Sequence, residues 1–207
     1  MLGLIIKDLL VCKKNLRTVL ILVAIFTVFG LTSDDTSFIT LITCLYFSMM
    51  VLTAFAYDTQ AKWDAYGMTM PVSRSETVLA KYLLGAILSA AGTVLSLIVN
   101  MGIALYKHNP IVPDLIVAQL VVFGVSFVIL GIIIPLIYRF GVEKTRLIMI
   151  VIFVLPSLLV LFFAESNIPA PSENALRILV TLSPFLVVAW IVLSYLISVR
   201  IFTKKEL

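Results

Sequence analysis

Few residues in this chain of 207 are of types that do chemistry, and their spacing does not assemble a catalytic site. The one histidine, His108, stands beside Asn109-Pro110, with no cysteine, acid or second histidine at a metal-ligand spacing. Cys12 lies in a basic segment and Cys44 in an apolar run, and neither is placed for a disulfide or a metal. There is no G-x-x-x-x-G-K-S/T loop to cradle a nucleotide's phosphates, and no Ser/His pair or acid pair within an apolar run. What the apolar runs do contain is hydrogen-bonding capacity: the amides Asn100 and Gln119 and hydroxyls such as Ser89 and Ser126. Groups of this kind either hold helices together in lipid or line a path for a cargo. Intramembrane charge, the usual mark of proton relays and ion-coupled transport, is missing from the runs. A chain with neither an ATP site nor an ion pathway must draw any transport energy from another polypeptide.

The elements that position these residues follow from composition. Apolar residues make up 62% of the chain and charged residues 13%, against about half and a quarter in soluble domains. A soluble fold has too little interior for that much apolar side chain, so the solvent is lipid. Six uncharged stretches predict six transmembrane helices in an all-α polytopic membrane protein: residues 18–32, 38–56, 82–106, 115–138, 147–164 and 178–199. The first is short, and Lys14 and Arg17 snorkel to the headgroups to complete it. With six spans placed, no length remains for a water-soluble ATPase, nuclease or dehydrogenase domain. The basic N-terminal stretch has no cleavage site after its apolar run, which marks an uncleaved anchor.

The distribution of charge assigns sides. The N-terminal segment, the second and fourth connections and the tail hold thirteen Lys and Arg, whereas the remaining connections hold Lys107 and Arg177. Such asymmetry puts both termini in the cytoplasm. It also accounts for the net charge of +4 without nucleic acid. Ser73-Arg74-Ser75-Glu76 is a capping box at the start of the third span. Pro110, Pro113, Pro169 and Pro171 break outer connections, whereas Pro135, Pro156 and Pro184 bend spans. Gly85, Ser89, Gly92, Thr93 and Ser96 give the third span a small-residue face for close helix approach, within the chain or between subunits. Trp190, midway along the sixth span, either lines a pathway or faces lipid.

The second connection, the coupling loop over residues 57–76, is the most informative segment. Asp58 to Tyr66 reads as a short amphipathic helix ended by Gly67, with Trp63 and Tyr66 recurring at helical spacing among Asp58, Lys62 and Asp64. Such a helix either lies in the headgroups or docks into a socket on a cytoplasmic partner. The residues Lys62-Trp63-Asp64-Ala65-Tyr66, Met70-Pro71-Val72-Ser73-Arg74 and Lys81-Tyr82-Leu83-Leu84 resemble the permease subunits of type-2 ABC exporters. The likeness extends to Arg139-Phe140-Gly141-Val142-Glu143-Lys144, which matches that family's second, shorter cytoplasmic contact. It extends also to Leu2–Leu16, similar to its N-terminal interfacial helix.

The resemblance implies a transmembrane subunit that is not itself an enzyme. It would work with two copies of an ABC ATPase, which hold ATP and Mg, and with a second permease copy or homologue in the cell membrane. It assigns ATPase coupling to Asp58, Lys62, Trp63, Asp64 and Tyr66, with Glu143 and Lys144 in the second contact. The chain departs from the family in its short outer connections, with no sizeable external domain, and among the family's branches it looks similar to small bacterial permeases exporting toxin-like, antimicrobial or amphipathic peptides. The substrate pathway would then use Asn100, Gln119, Ser89 and Ser126. Two other classes compete: an intramembrane lipid-modifying enzyme, which needs clustered polar groups at the membrane face, and a scaffold or sensor that uses the same loop without transport.

Overall fold

Backbone N–H and C=O groups find no water in hydrocarbon, so a chain this apolar resolves into helices. The computed structural model describes residues 2–32, 37–67, 69, 72–108, 113–163 and 173–204, and among them there is no strand. The elements are α1 (Leu2–Lys13), α2 (Leu16–Thr32), α3 (Ser37–Gln60), α4 (Trp63–Gly67), α5 (Arg74–Tyr106), α6 (Pro113–Phe163) and α7 (Glu173–Thr203). Pro110, Pro169 and Pro171 lie outside the described residues. Pro113 opens α6, where its missing N–H is not needed.

Among the described residues four stretches are long and apolar enough to cross a membrane: Phe38–Gln60, Arg74–Tyr106, Leu115–Ile152 and Thr181–Thr203. The pair α1 and α2, bent by 56°, makes a fifth if taken as one broken crossing. The expected six differ from this count in two places. The first apolar run forms α2, with only 17 residues, and the fourth and fifth runs are continuous in α6. Leu115–Ile152, at 38 residues, would reach about 57 Å if straight, nearly twice the roughly 30 Å of hydrocarbon. It is interrupted at Gly141, whose φ of 81° and ψ of 171° belong to a region open essentially to glycine alone.

The core lies where α3 packs against α5 and α6, with α7 covering α6 and α5. Phe47, Val51, Leu84, Leu88, Leu130, Ile133 and Ile134 fill it. Close approach is made by the small face of α5, which serves contacts within the chain. A β-carbon at Gly92 would stand 2.9 Å from Phe47 Cβ, and Ser89 is bonded to Ser48 at 3.2 Å. Pro135 gives α6 and α7 a specific joint. Having no N–H, it leaves the carbonyl of Gly131 without its intrahelical donor, and Ser194 of α7 donates to that oxygen at 2.6 Å. Ser194 and Ser198 also bond the buried Tyr82 hydroxyl, at 2.6 and 2.9 Å, so one cluster ties α5, α6 and α7. Trp190 lies against Gly131 of α6 and donates to the Val128 carbonyl at 3.2 Å, which accounts for its position in the bundle.

Candidate functional site

One end of the bundle gathers the C-terminal ends of α3 and α7, the start of α5, helix α1 and the short α4. The expected capping box is present: Ser73 accepts from the Glu76 N–H and the Glu76 carboxylate accepts from the Ser73 N–H. Arg74, next in line, donates to the carbonyls of Phe202 and Thr203 at the end of α7, at 3.2 and 2.6 Å. A cation there meets both the free carbonyls and the negative end of the helix dipole. Phe55 and Phe202 flank Tyr138, with ring centroids 5.3 and 5.0 Å away, so the α6 segment leading to Gly141 belongs to this same end.

The second connection is shorter than its sequence suggests. Helix α3 continues past Ala56 to Gln60, so Asp58 belongs to α3 and not to the short helix. The extension is possible because Asp58 is neutralised internally. Its carboxylate, 8% exposed, takes Lys7 on one oxygen and Lys81 on the other, both at 2.5 Å. Lys81 also reaches Asp8 at 2.7 Å, and Lys7 lies 3.1 Å from the other Asp8 oxygen. Asp8 is 1% exposed and Lys81 4%. Two cations and two anions thus form a balanced quartet between α1, α3 and α5, the arrangement that allows charge to be buried at all. Sequence reasoning counted Lys81 and Lys7 as flanking cations and passed over Asp8. The available signal was the adjacent Lys7 and Asp8 within the otherwise apolar Leu2–Cys12 stretch.

After Gln60 the chain turns through Lys62, whose φ of 49° is left-handed, and enters α4. Trp63 and Tyr66 stack with centroids 5.5 Å apart, and Tyr66 is 56% exposed. The Lys7 ammonium stands 4.1 Å from the Trp63 ring centroid, which links α4 to the quartet. Lys62 is exposed; Asp64 lies on α4, with its side chain outside the described residues. Glu143 and Lys144 are exposed just past the Gly141 break. The surface candidates are therefore Lys62, Trp63, Tyr66, Glu143 and Lys144, while Asp58 is turned inward.

The polar candidates within the bundle lie between helices. Asn100 donates to Thr40 at 2.8 Å and to the Ser96 carbonyl at 2.9 Å; Gln119 donates to the Ser96 hydroxyl at 2.7 Å. Ser89 meets Ser48, and Ser126 bonds back to Val122 of its own helix. The Asn100 and Gln119 carbonyl oxygens are buried with no hydrogen-bond donor among the described residues. Among those residues no three of His, Cys, Asp and Glu come together in a way that could hold a metal.

A comparison with curated proteins finds no match. A family model described as ABC-2 family transporter protein matches residues 3–203. That match covers nearly the whole chain and agrees with the apolar helices long enough to cross a membrane. The chain belongs to the ABC-2 transporter family, as a multi-pass transmembrane permease subunit.

Proposed function

We propose that this subunit exports amphipathic peptides or similarly lipophilic compounds, driven by a separate ATPase, present as two copies in the transporter, one of which docks on α4 of this chain. The observation that carries the reading is α4 itself. It is a single helical turn at the end of the bundle that offers the Trp63–Tyr66 pair on a base of buried ion pairs. Aromatic anchors of this kind dominate protein interfaces. Glu143 and Lys144 form the smaller second contact. The break at Gly141 divides α6 into two crossings, α2 with its basic flank makes another, and six spans result with both termini cytoplasmic. Helix α1 lies along the inner surface, with Leu2, Ile6 and Leu10 exposed for lipid and Asp8 and Cys12 turned inward. A second permease, identical or homologous, completes the transporter.

The cargo class follows from what the bundle offers. Among the described residues no unbalanced charge is held inside it, and their polar groups include hydroxyls and two amides whose carbonyl oxygens accept no hydrogen bond. These suit a molecule that brings its own N–H donors and is already at ease in the membrane. The test of docking is Trp63→Ala in the assembled transporter, where loss of such an anchor costs about 2 kcal/mol or more of association. Unchanged ATPase co-purification and unchanged export would refute the role of α4. Orientation is checked with an impermeant thiol reagent on intact cells: a cysteine at position 62 stays unlabelled. Cargo is checked by deleting the gene and challenging cells with membrane-active peptides, where unchanged sensitivity and secretion would remove the peptide reading.

A further inference from the structure

The elbow before α4 is backbone that does not hold itself. Lys62 carries a β-carbon at a left-handed φ of 49°, a region that costs a residue of this type and persists only where neighbours impose it. Helix α4, at five residues, is too short to be stable alone. The support comes from α1. Lys7 faces three ways at once: to Asp58 at 2.5 Å, to Asp8 at 3.1 Å and to the Trp63 ring at 4.1 Å. Lys81 by itself reaches both carboxylates, at 2.7 and 2.5 Å, and lies deeper. The side chain of Lys7 is 25% exposed and that of Lys81 only 5%. Lys81 therefore anchors the quartet, and Lys7 is the member whose charge is directed outward to α4.

We propose that Lys7 is a positioning residue: pinned by the buried carboxylates of Asp8 and Asp58, its ammonium fixes the Trp63 ring and so the pose of α4. The consequence for ATPase docking rests on the function proposed above, whereas the pose does not. Helix α1 then acts as a brace. Lys14, in the turn just past its far end, reaches the Tyr57 ring of α3 at 5.7 Å, so the α1 segment is held to α3 at a second point.

The test uses the full-length chain in lipid nanodiscs with Trp190→Phe, which leaves Trp63 as the one indole of the two in the sequence. Acrylamide quenching of Trp63 is compared in Lys7→Gln, Lys7→Arg and the double variant Lys7→Gln/Asp8→Asn. The double variant removes one charge of each sign and leaves Asp58 paired with Lys81. Loss of a cation from an aromatic face lowers the ratio of docked to undocked α4 about two- to fivefold, so quenching rises in Lys7→Gln and in the double variant. Lys7→Arg keeps both charge and ring contact and stays as the parent. Quenching in the double variant equal to the parent overturns the proposal. A double variant that no longer folds overturns it as well, because a residue that only poses α4 is dispensable to the bundle. With the ATPase added, Lys7→Gln and the double variant lose transport per ATP hydrolysed while the spans stay assembled, and Lys7→Arg does not. If quenching rises but no ATPase binds even the parent, the docking function fails and the brace stands.

Discussion

Replacing Lys81 with Met tests whether the charge quartet holds this end of the bundle together. The substitution keeps an unbranched side chain of similar length, so little cavity is created and the change is mostly electrostatic. It removes the cation that Asp8 and Asp58 share at 2.7 and 2.5 Å and leaves one negative charge in excess among buried groups. Removing one partner of a buried ion pair costs about 3–5 kcal/mol. Lys7 stays within 2.5 and 3.1 Å of the two carboxylates and lies on the wetter side of the cluster. That partial compensation places the expected loss near the lower end, at about 3 kcal/mol. Adding Asp8→Asn restores the balance of charge, leaving Lys7 with Asp58. Exchanging a whole buried pair for neutral groups is often close to neutral, so the double variant should sit within about 1 kcal/mol of the parent. The assay is equilibrium unfolding of the purified protein in mixed micelles by SDS titration, followed by circular dichroism, for the parent, both single variants and the double. A Lys81→Met protein within about 0.5 kcal/mol of the parent would refute the reasoning. So would a double variant whose loss is the plain sum of the two singles, since residues in one ion network must couple.

Three more outcomes are expected in the same unfolding assay. Ser194→Ala leaves the Gly131 carbonyl without its inter-helix donor and takes one partner from Tyr82, for a loss of about 1–2 kcal/mol; a loss indistinguishable from zero would mean water replaces the hydroxyl. Gly92→Ala forces its methyl to within 2.9 Å of Phe47 Cβ and costs about 1–3 kcal/mol, while Gly102→Ala, with nothing within 4 Å, serves as the control that should lose no stability. Gly141→Ala puts a β-carbon at a φ of 81°, with an expected penalty of about 1–3 kcal/mol despite the open space around it.

The sequence discloses the parts of this fold that depend on neighbours along the chain. Apolar runs mark α2, α3, α5 and α7, the Ser73–Glu76 pair marks the start of α5, and Gly67 marks the end of α4. Each is decided by residues within a few positions of one another. The quartet is decided by partners far apart: Lys7 with Asp58 across 51 residues, and Asp8 with Lys81 across 73. Periodicity shows that Asp8 shares a face with Cys12 but not that a cation waits opposite. For that reason Asp58 read as the first residue of a surface helix, when pairing lets α3 run four residues past Ala56. The joining of the fourth and fifth runs through Gly141 was not legible. A glycine among apolar and basic residues gives no sign of its dihedral angles. The pairing of Pro135 with Ser194 was hidden likewise, since the proline shows which carbonyl is freed but not what will occupy it.

The quartet also imposes an order of events on synthesis. Asp8 is made first, Asp58 follows after 50 residues, and Lys81, which anchors both, appears 73 residues after Asp8. At a ribosomal pace of roughly 5–20 residues per second, Asp8 waits about 4–15 seconds for that cation. During the wait α1 has no buried seat, because its carboxylate has only Lys7 of the same helix beside it. Helix α1 can therefore close onto the bundle only after the beginning of α5 has emerged. A nascent chain stalled before Lys81 would leave α1 open to protease, and one stalled well beyond it would not.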